Sequence, residues 1–139
     1  MNSQLEIRDS FVGTLAGIIE QYNTDNSANV GFTVDNDAAF DPSGFEQWVM
    51  GSLIIGQNSP LAKDRLIDED LGIYQASVFV KNQSEQMDRT QLKLIDAIKS
   101  GFRNAILCKI SIDSQQANAG RKDDAWFVRD LSINYYVLS

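Results

Sequence analysis

Phe45–Ile55 (FEQWVMGSLII) and Leu71–Val80 (LGIYQASVFV) are the two stretches that decide the fold of this chain. β-Branched and aromatic residues dominate both stretches, which predicts two long strands. The polar segment Gly56–Asp70 joins them as a long hairpin loop. Neither side of the first strand is polar, although a sheet with one solvated face would require a polar side. Alternate positions are Phe45, Gln47, Val49, Leu53 and Ile55 on one side, and Trp48, Met50 and Ile54 on the other.

This two-sided pattern has two explanations. The strand is either covered on both faces by the protein's own helices or buried on one face against a neighbouring subunit. Only two segments of the chain have a good helical pattern, which favours the second explanation. We therefore predict that Trp48 and Met50 lie at an interface, where tryptophan is enriched; burial of Trp48 in the core fits the pattern equally well.

The loop Gly56–Asp70 is longer than most hairpin connections, and such loops are usually functional or mobile. It mixes charged with apolar side chains. We predict a projecting arm that becomes ordered on a partner, and a surface loop without a partner is the alternative. The predicted contact residues of the arm are Leu61, Lys63, Asp64, Arg65, Leu66 and Ile67.

The segment Leu5–Tyr22 has the three- and four-residue spacing of an amphipathic helix. Gly13 and Gly17 lower its helix propensity; they either mark the close approach of another backbone or are simply tolerated in the helix. The predicted buried side chains are Leu5, Phe11, Val12, Leu15, Ile18, Ile19 and Tyr22.

A second helix is predicted over Gln86–Asn104. Asp88 and Gln91 are spaced as in an N-terminal capping box, in which the two side chains bond to the first free backbone amides. The predicted buried side chains are Leu94 or Leu92, Ile95, Ile98 and Phe102.

The remaining elements complete the fold prediction. Asp41-Pro42-Ser43-Gly44 matches the residue preferences of a type I turn, and Ser114–Asp124 is predicted as a polar loop. Cys108 is predicted to face the core from the strand that contains it. The further strands are Val30–Val34, Ile106–Ile112 and Trp126–Leu138. This order of elements predicts a single α+β domain over residues 1–139, with an antiparallel or mixed sheet of about five strands and two helices packed on one face.

The composition excludes most site chemistry. With 19 acidic and 12 basic residues, the net charge is −7, so the chain lacks the basic surface of nucleic-acid-binding proteins and is not attracted to anionic membranes. There is no histidine and only one cysteine, Cys108, which excludes a histidine triad, the usual zinc sites and an internal disulfide. We expect no cofactor and no metal. The absence of a signal peptide and of a long apolar run predicts a protein made in the cytoplasm.

Two groups of neighbouring carboxylates offer an alternative, a small enzyme or ligand-binding domain. They are Asp68-Glu69-Asp70 and Asp123-Asp124. Acid–base catalysis needs a carboxyl whose pKa is raised by burial, whereas both groups lie in loops predicted to be exposed. Solvated loop charge is the favoured interpretation, and the protein is predicted not to be an enzyme.

The order of the elements and the residues that form them are similar to those of a known family. The matching parts are the first helix with Phe11, Leu15, Ile18 and Tyr22, the strand with Trp48 and its polar loop, the strand Gly72–Val78, the helix Leu94–Phe102 and the closing strand with Leu131–Tyr135. In this respect the chain resembles the tail terminator proteins of long-tailed bacteriophages, of the lambda minor tail protein U type. The resemblance covers nearly the whole chain and rests on pattern more than on invariant motifs.

This resemblance implies an α+β sandwich whose subunits close into a six-fold ring. Members of the family cap the tail tube, stop its polymerisation and provide the surface that joins the head–tail connector protein. The implied partners are therefore sister copies, the tail tube protein and the connector, in the virion at the head-proximal end of the tail. DNA passes through the lumen without specific binding, no membrane is involved, and the family has no catalytic residues or cofactor. Another head–tail junction component, a stopper or completion protein, is the nearest alternative.

Overall fold

The computed structural model of the chain describes residues 4–35, 39–54, 69–81, 87–105, 107, 110–123 and 125–138. In these residues the chain adopts an α+β fold of two α-helices and a six-stranded mixed sheet. The helices are α1 (Gln4–Asn26) and α2 (Met87–Asn104). The strands are β1 (Gly31–Val34), β2 (Gln47–Ile54), β3 (Glu69–Lys81), β4 (Ile110–Ala117), β5 (Arg121–Asp123) and β6 (Trp126–Leu138). The predicted fold class is confirmed.

The strands are ordered β1-β2-β3-β6-β4 across the sheet, and β5 pairs with β6. β1 runs parallel to β2, with Gly31 opposite Trp48, and all other pairings are antiparallel. β6 bonds to β3 on one side and to β4 and β5 on the other, so the last strand lies inside the sheet. β3 begins at Glu69, which means that Glu69 and Asp70 belong to a strand and not to the predicted loop.

Helix α1 supplies much of the core. Its buried side chains recur about every four residues, as expected for a helix with one face on a sheet. The ring of Phe11 stacks on that of Tyr74 in β3, with 4.7 Å between the ring centroids and 11° between the planes. The buried residues of α1 are Ile7, Phe11, Leu15, Ile19 and Tyr22. Leu5, predicted to be buried, is 64% exposed, because it lies outside this stripe.

The glycines of α1 do not mark a close backbone contact. A Cβ added at Gly13 or Gly17 would meet nothing within 4 Å, so that interpretation is wrong within the single chain. The close approach between the helices occurs at Gly101 of α2, where an added Cβ would lie 2.6 Å from Cδ1 of Ile18.

Tyr74 fills the space above a glycine of the neighbouring strand. A Cβ at Gly51 would overlap the Tyr74 hydroxyl, so this position has no room for a side chain. The hydroxyl is buried and has no hydrogen-bond partner among the described residues. Burial raises the pKa of Tyr74, because the phenolate would lose its hydration.

Helix α2 contacts the sheet through apolar residues and one amide. Gln91 is fully buried, and its Nε2 donates to the carbonyl oxygens of Val78 (2.8 Å) and Phe127 (3.1 Å). It therefore joins β3 to β6 and does not act in the predicted capping box. Asp88 instead accepts a hydrogen bond from Nη2 of Arg129 at 2.6 Å, which explains why an arginine interrupts the apolar alternation of β6. The buried apolar residues of α2 are Leu94, Ile95, Ile98 and Phe102.

The region after α2 differs most from the prediction. β4 spans Ile110–Ala117, later than the predicted strand Ile106–Ile112, and part of the predicted loop 114–124 forms the end of β4 and all of β5. These positions are polar, so they lack the apolar alternation by which a strand is recognised. Nε2 of Gln115 donates to the carbonyl of Lys99 in α2 at 3.0 Å, which ties β4 to that helix. Cys108 lies outside the described residues.

The predicted turn before β2 is present, one residue later. Pro42–Gly44 forms a short 3₁₀ turn, closed by a hydrogen bond from the Phe45 amide to the Pro42 carbonyl at 3.0 Å. The side chain of Asp41 accepts a hydrogen bond from the Ser43 amide at 3.0 Å, and this bond lowers the pKa of Asp41. The type I preference of the sequence reflects the same Asp–Pro chemistry.

Candidate assembly surface

The two faces of the sheet differ in what covers them. Side chains alternate along each strand, so Val49 and its neighbour Val78 point towards α1 and α2, while Trp48 and its neighbour Phe79 point the opposite way. We call the first side the helix face and the second side the open face. Both described helices pack on the helix face, as the sequence predicts.

One end of the open face holds an aromatic cluster. The rings of Trp48 and Phe79 stack with 3.8 Å between centroids and 5° between planes, and Trp126 meets Trp48 edge-on at 5.8 Å. Phe40, from the segment before β2, lies 5.2 Å from Trp48. Trp48 is consequently only 9% exposed. The cluster consists of Trp48, Phe79 and Val128, surrounded by Phe40, Phe45, Met50 and Trp126.

The cover over Trp48 corrects one prediction. Phe45 belongs to the aromatic cluster and not to the side of Val49, because it precedes β2 and the strand alternation does not extend to it. Its ring lies over Gly31, where an added Cβ would be 3.0 Å away. Among the described residues, Trp48 is thus covered by aromatic side chains of its own chain and not by a helix. Met50, the other interface residue predicted from β2, is half-buried at the margin of the cluster.

The middle of the open face is polar and internally bonded. Asp130 of β6 is 7% exposed, and it accepts hydrogen bonds from the Ser77 hydroxyl and from Nη1 of Arg121, both at 2.7 Å. Gln75 donates in turn to the Ser77 hydroxyl at 3.3 Å. Two donors, one of them charged, offset the cost of burying the carboxylate, and they tie β5 and β3 to β6. The sequence offers no signal for this network, since it depends on the register of three strands.

The other end of the open face is apolar and exposed. Ile54 at the end of β2 is 45% exposed, and Leu71 near the start of β3 is 40% exposed. They share the open face because Ile54 lies opposite Ile73, two residues from Leu71. Tyr136 lies opposite Leu71 on β6. Both exposed residues therefore flank the connection between β2 and β3. Leu71 and Phe79 are eight residues apart and so lie on the same side of β3. This two-residue alternation could have predicted from the sequence that Leu71 lies on the open face.

The predicted arm residues Leu61, Lys63, Asp64, Arg65, Leu66 and Ile67 lie outside the described residues, as do Asp68 and Asp124. Asp123, from the second pair of carboxylates, is exposed at the end of β5. Among the described residues there is no group of three or more acidic, histidine or cysteine side chains placed to hold a metal ion.

Several clefts lie on the helix side of the molecule among the described residues, the most voluminous of about 720 Å³ beside Tyr22 and Asp88. A cleft of about 520 Å³ separates the carboxyl-terminal end of α2 from β4, and its lining includes Lys99 and Arg103. A groove of about 420 Å³ runs between α1 and α2, lined in part by Asp25 and Lys93. All three clefts open to solvent and have charged margins.

Comparison with known proteins identifies the fold alone. No family model and no curated protein matches the chain. A solved structure aligns over 99% of this chain and 96% of its own chain, with a TM-score of 0.57 and 14% sequence identity. At that identity the likeness supports the α+β fold and carries no function. Neither described helix is long and apolar enough to cross a membrane.

Proposed function

We propose that the protein is a tail terminator of a long-tailed bacteriophage. It closes into a six-fold ring on the end of the tail tube, stops polymerisation of the tube, and presents the surface that the head–tail connector binds. Its partners are sister copies, the tail tube protein and the connector, and its place in the virion is the head-proximal end of the tail.

The observation that supports this proposal best is the open face of the sheet. No described helix packs on it, and its apolar end leaves Ile54 and Leu71 in water, at 45% and 40% exposure. Exposed apolar surface bordered by polar residues is typical of protein interaction sites. In the assembled tail this end of the open face is covered by a partner.

The charge of the chain suits a ring through which DNA passes. At a net charge of −7, the subunit has an excess of acidic groups. Acidic groups on the lumen repel DNA phosphates within a Debye length of about 8 Å, so DNA slides through without being held.

Inactivation of the gene in its phage tests the proposal. Electron microscopy of the resulting particles measures tail length and attachment to heads. We expect overlong tails, because nothing ends growth of the tube. Tails of normal length detached from full heads would identify a stopper or completion protein, and complete infectious particles would show that the protein has no role in the tail.

A test on purified protein addresses the open face. Ile54→Ser and Leu71→Ser remove exposed apolar contacts with little effect on folding, and they should no longer shorten tail tubes that polymerise in their presence. Gln116→Ala changes an exposed residue of β4 on the same face and should cap like the wild type. Equal capping by all four proteins would contradict the assignment of this surface.

A further inference from the structure

The two helices carry opposite charge. α1 has four acidic residues and one basic residue, whereas α2 has four basic residues and two acidic ones. Asp88 of α2 is already paired with Arg129, which leaves α2 more basic at its surface. The chain as a whole is acidic, so the basic charge of α2 departs from the average composition of the chain.

Some of these charges, among them Glu20 of α1 and Lys99 of α2, lie on the outer flanks of the helix pair. The contact between Ile18 and Gly101 marks the side on which each helix faces the other. Glu20 and Lys99 are each two residues from that contact, or about 200° around the helix axis, so both point away from the other helix. α1 packs over β1 and β2, and α2 packs over β3, β4 and β6, so the two flanks lie towards opposite edges of the sheet.

Further residues give each flank a distinct shape. On α1, Asp9 is nine residues from Ile18, hence on the same outer flank, and Leu5 lies one turn before Asp9 with 64% of its surface exposed. On α2, Arg103 shares the flank with Lys99, and both line the cleft of about 520 Å³ beside β4. We call these surfaces the acidic flank (Leu5, Asp9, Glu20) and the basic flank (Lys99 and Arg103, which line the cleft together with Asp113).

The single chain leaves these charges available. Within the part of the chain that the structure describes, Glu20, Lys99 and Arg103 form no ion pair. Among the described residues Asp9 pairs with the adjacent Arg8 at 3.4 Å, and with 37% of the Arg8 and 62% of the Asp9 side chain exposed this pair contributes little.

We propose that the acidic flank of one copy docks on the basic flank of the next copy, with Glu20 opposite Lys99 across the contact. Different surfaces on opposite sides of a subunit form a heterologous contact, the kind that generates rings when the rotation closes. This inference rests on the proposed ring and names the surfaces that join its subunits. The open face of the sheet then remains free for the tail tube or the connector.

Charge reversal with matched controls tests the contact. Glu20→Lys and Lys99→Glu each place like charges across the contact, and sedimentation velocity should show ring dissociation at a protein concentration about tenfold or more above that of the wild type. Asp25→Lys and Lys93→Glu make the same charge changes on the same helices, but these residues line the groove between α1 and α2, so they should assemble as the wild type does. Circular dichroism verifies that all four variants are folded.

Recombining the reversals gives the decisive result. A one-to-one mixture of Glu20→Lys and Lys99→Glu subunits can alternate with every contact complementary, and so can the double variant, so both should again form rings. Rings that tolerate either single reversal would overturn this inference and leave the proposed function standing. At a protein concentration of about 1 mM, even a contact with a dissociation constant of about 1 mM is half occupied, so a wild type that stays monomeric there would also overturn this inference. The tail-length phenotype tests the proposed function separately.

Discussion

Replacing Trp48 by alanine distinguishes a core residue from an interface residue. The side chain is 9% exposed, stacks on Phe79 at 3.8 Å and meets Trp126 edge-on, so its removal empties the centre of the aromatic cluster. Truncation of a buried tryptophan costs about 3–5 kcal/mol. Against a total on the order of 10 kcal/mol for a domain of this size, Trp48→Ala should lose a third to a half of the free energy of unfolding.

Urea unfolding followed by the fluorescence of Trp126 measures this loss. Ile54→Ala is the matched comparison on the same strand and face, and with 45% of its surface already in water it should cost about 1 kcal/mol or less. If Trp48→Ala instead unfolds within about 1 kcal/mol of the wild type and only ring formation is lost, the cluster does not hold the side chain as argued, and Trp48 is an interface residue.

Three further predictions concern packing and titration. Gly51→Ala forces Tyr74 out of its place and should lower the free energy of unfolding by about 1–3 kcal/mol. Gly13→Ala meets open space and should raise the free energy of unfolding by up to about 1 kcal/mol. Calorimetry that gives the same sign for both variants would contradict the packing described for Gly51. Asp130→Asn removes the charge from a buried hydrogen-bonded pair and should lower the free energy of unfolding, measured in urea, by about 1–3 kcal/mol. The exposed Asp123→Asn is the control and should leave the free energy of unfolding unchanged. The raised pKa of Tyr74 favours the neutral phenol in the folded state, so its contribution to stability is complete below a pH of about 10 and is lost as the pH rises further. Tyr74→Phe should therefore lose less stability than the wild type above that pH, and parallel loss in both proteins would argue against burial of the hydroxyl.

The elements with strong apolar periodicity could be predicted from the sequence. Both helices and the two long strands are present because their side chains repeat with the period of the element they form. The position of β4 could not be predicted, since Ser114–Ala117 pairs through its backbone and a polar strand has no periodic signal. The parallel pairing of β1 with β2 was likewise invisible, because strand order is set by tertiary contacts that no local pattern records.

The candidate surface was predictable only in part. The apolar residues on both sides of β2 led to the prediction that helices or a neighbouring subunit cover its second face, whereas among the described residues aromatic side chains of the same chain cover Trp48. The pattern could not reveal that Phe40 and Phe45 lie over Trp48, because residues in a connection have no fixed side. The charged flanks of α1 and α2 also required the structure, since only the contact of Ile18 with Gly101 orients the two helices.

The interior position of β6 constrains when the sheet can form during synthesis. Residues 126–138 emerge from the ribosome after every other element described, yet β3, β4 and β5 all take their hydrogen-bond partners from them. Until then a nascent chain holds β3 with an unpaired edge and its apolar side chains uncovered, a state prone to aggregation. Translation must therefore reach β6 before β3 gains its second strand partner, so a chain that stalls before residue 126 is expected to aggregate.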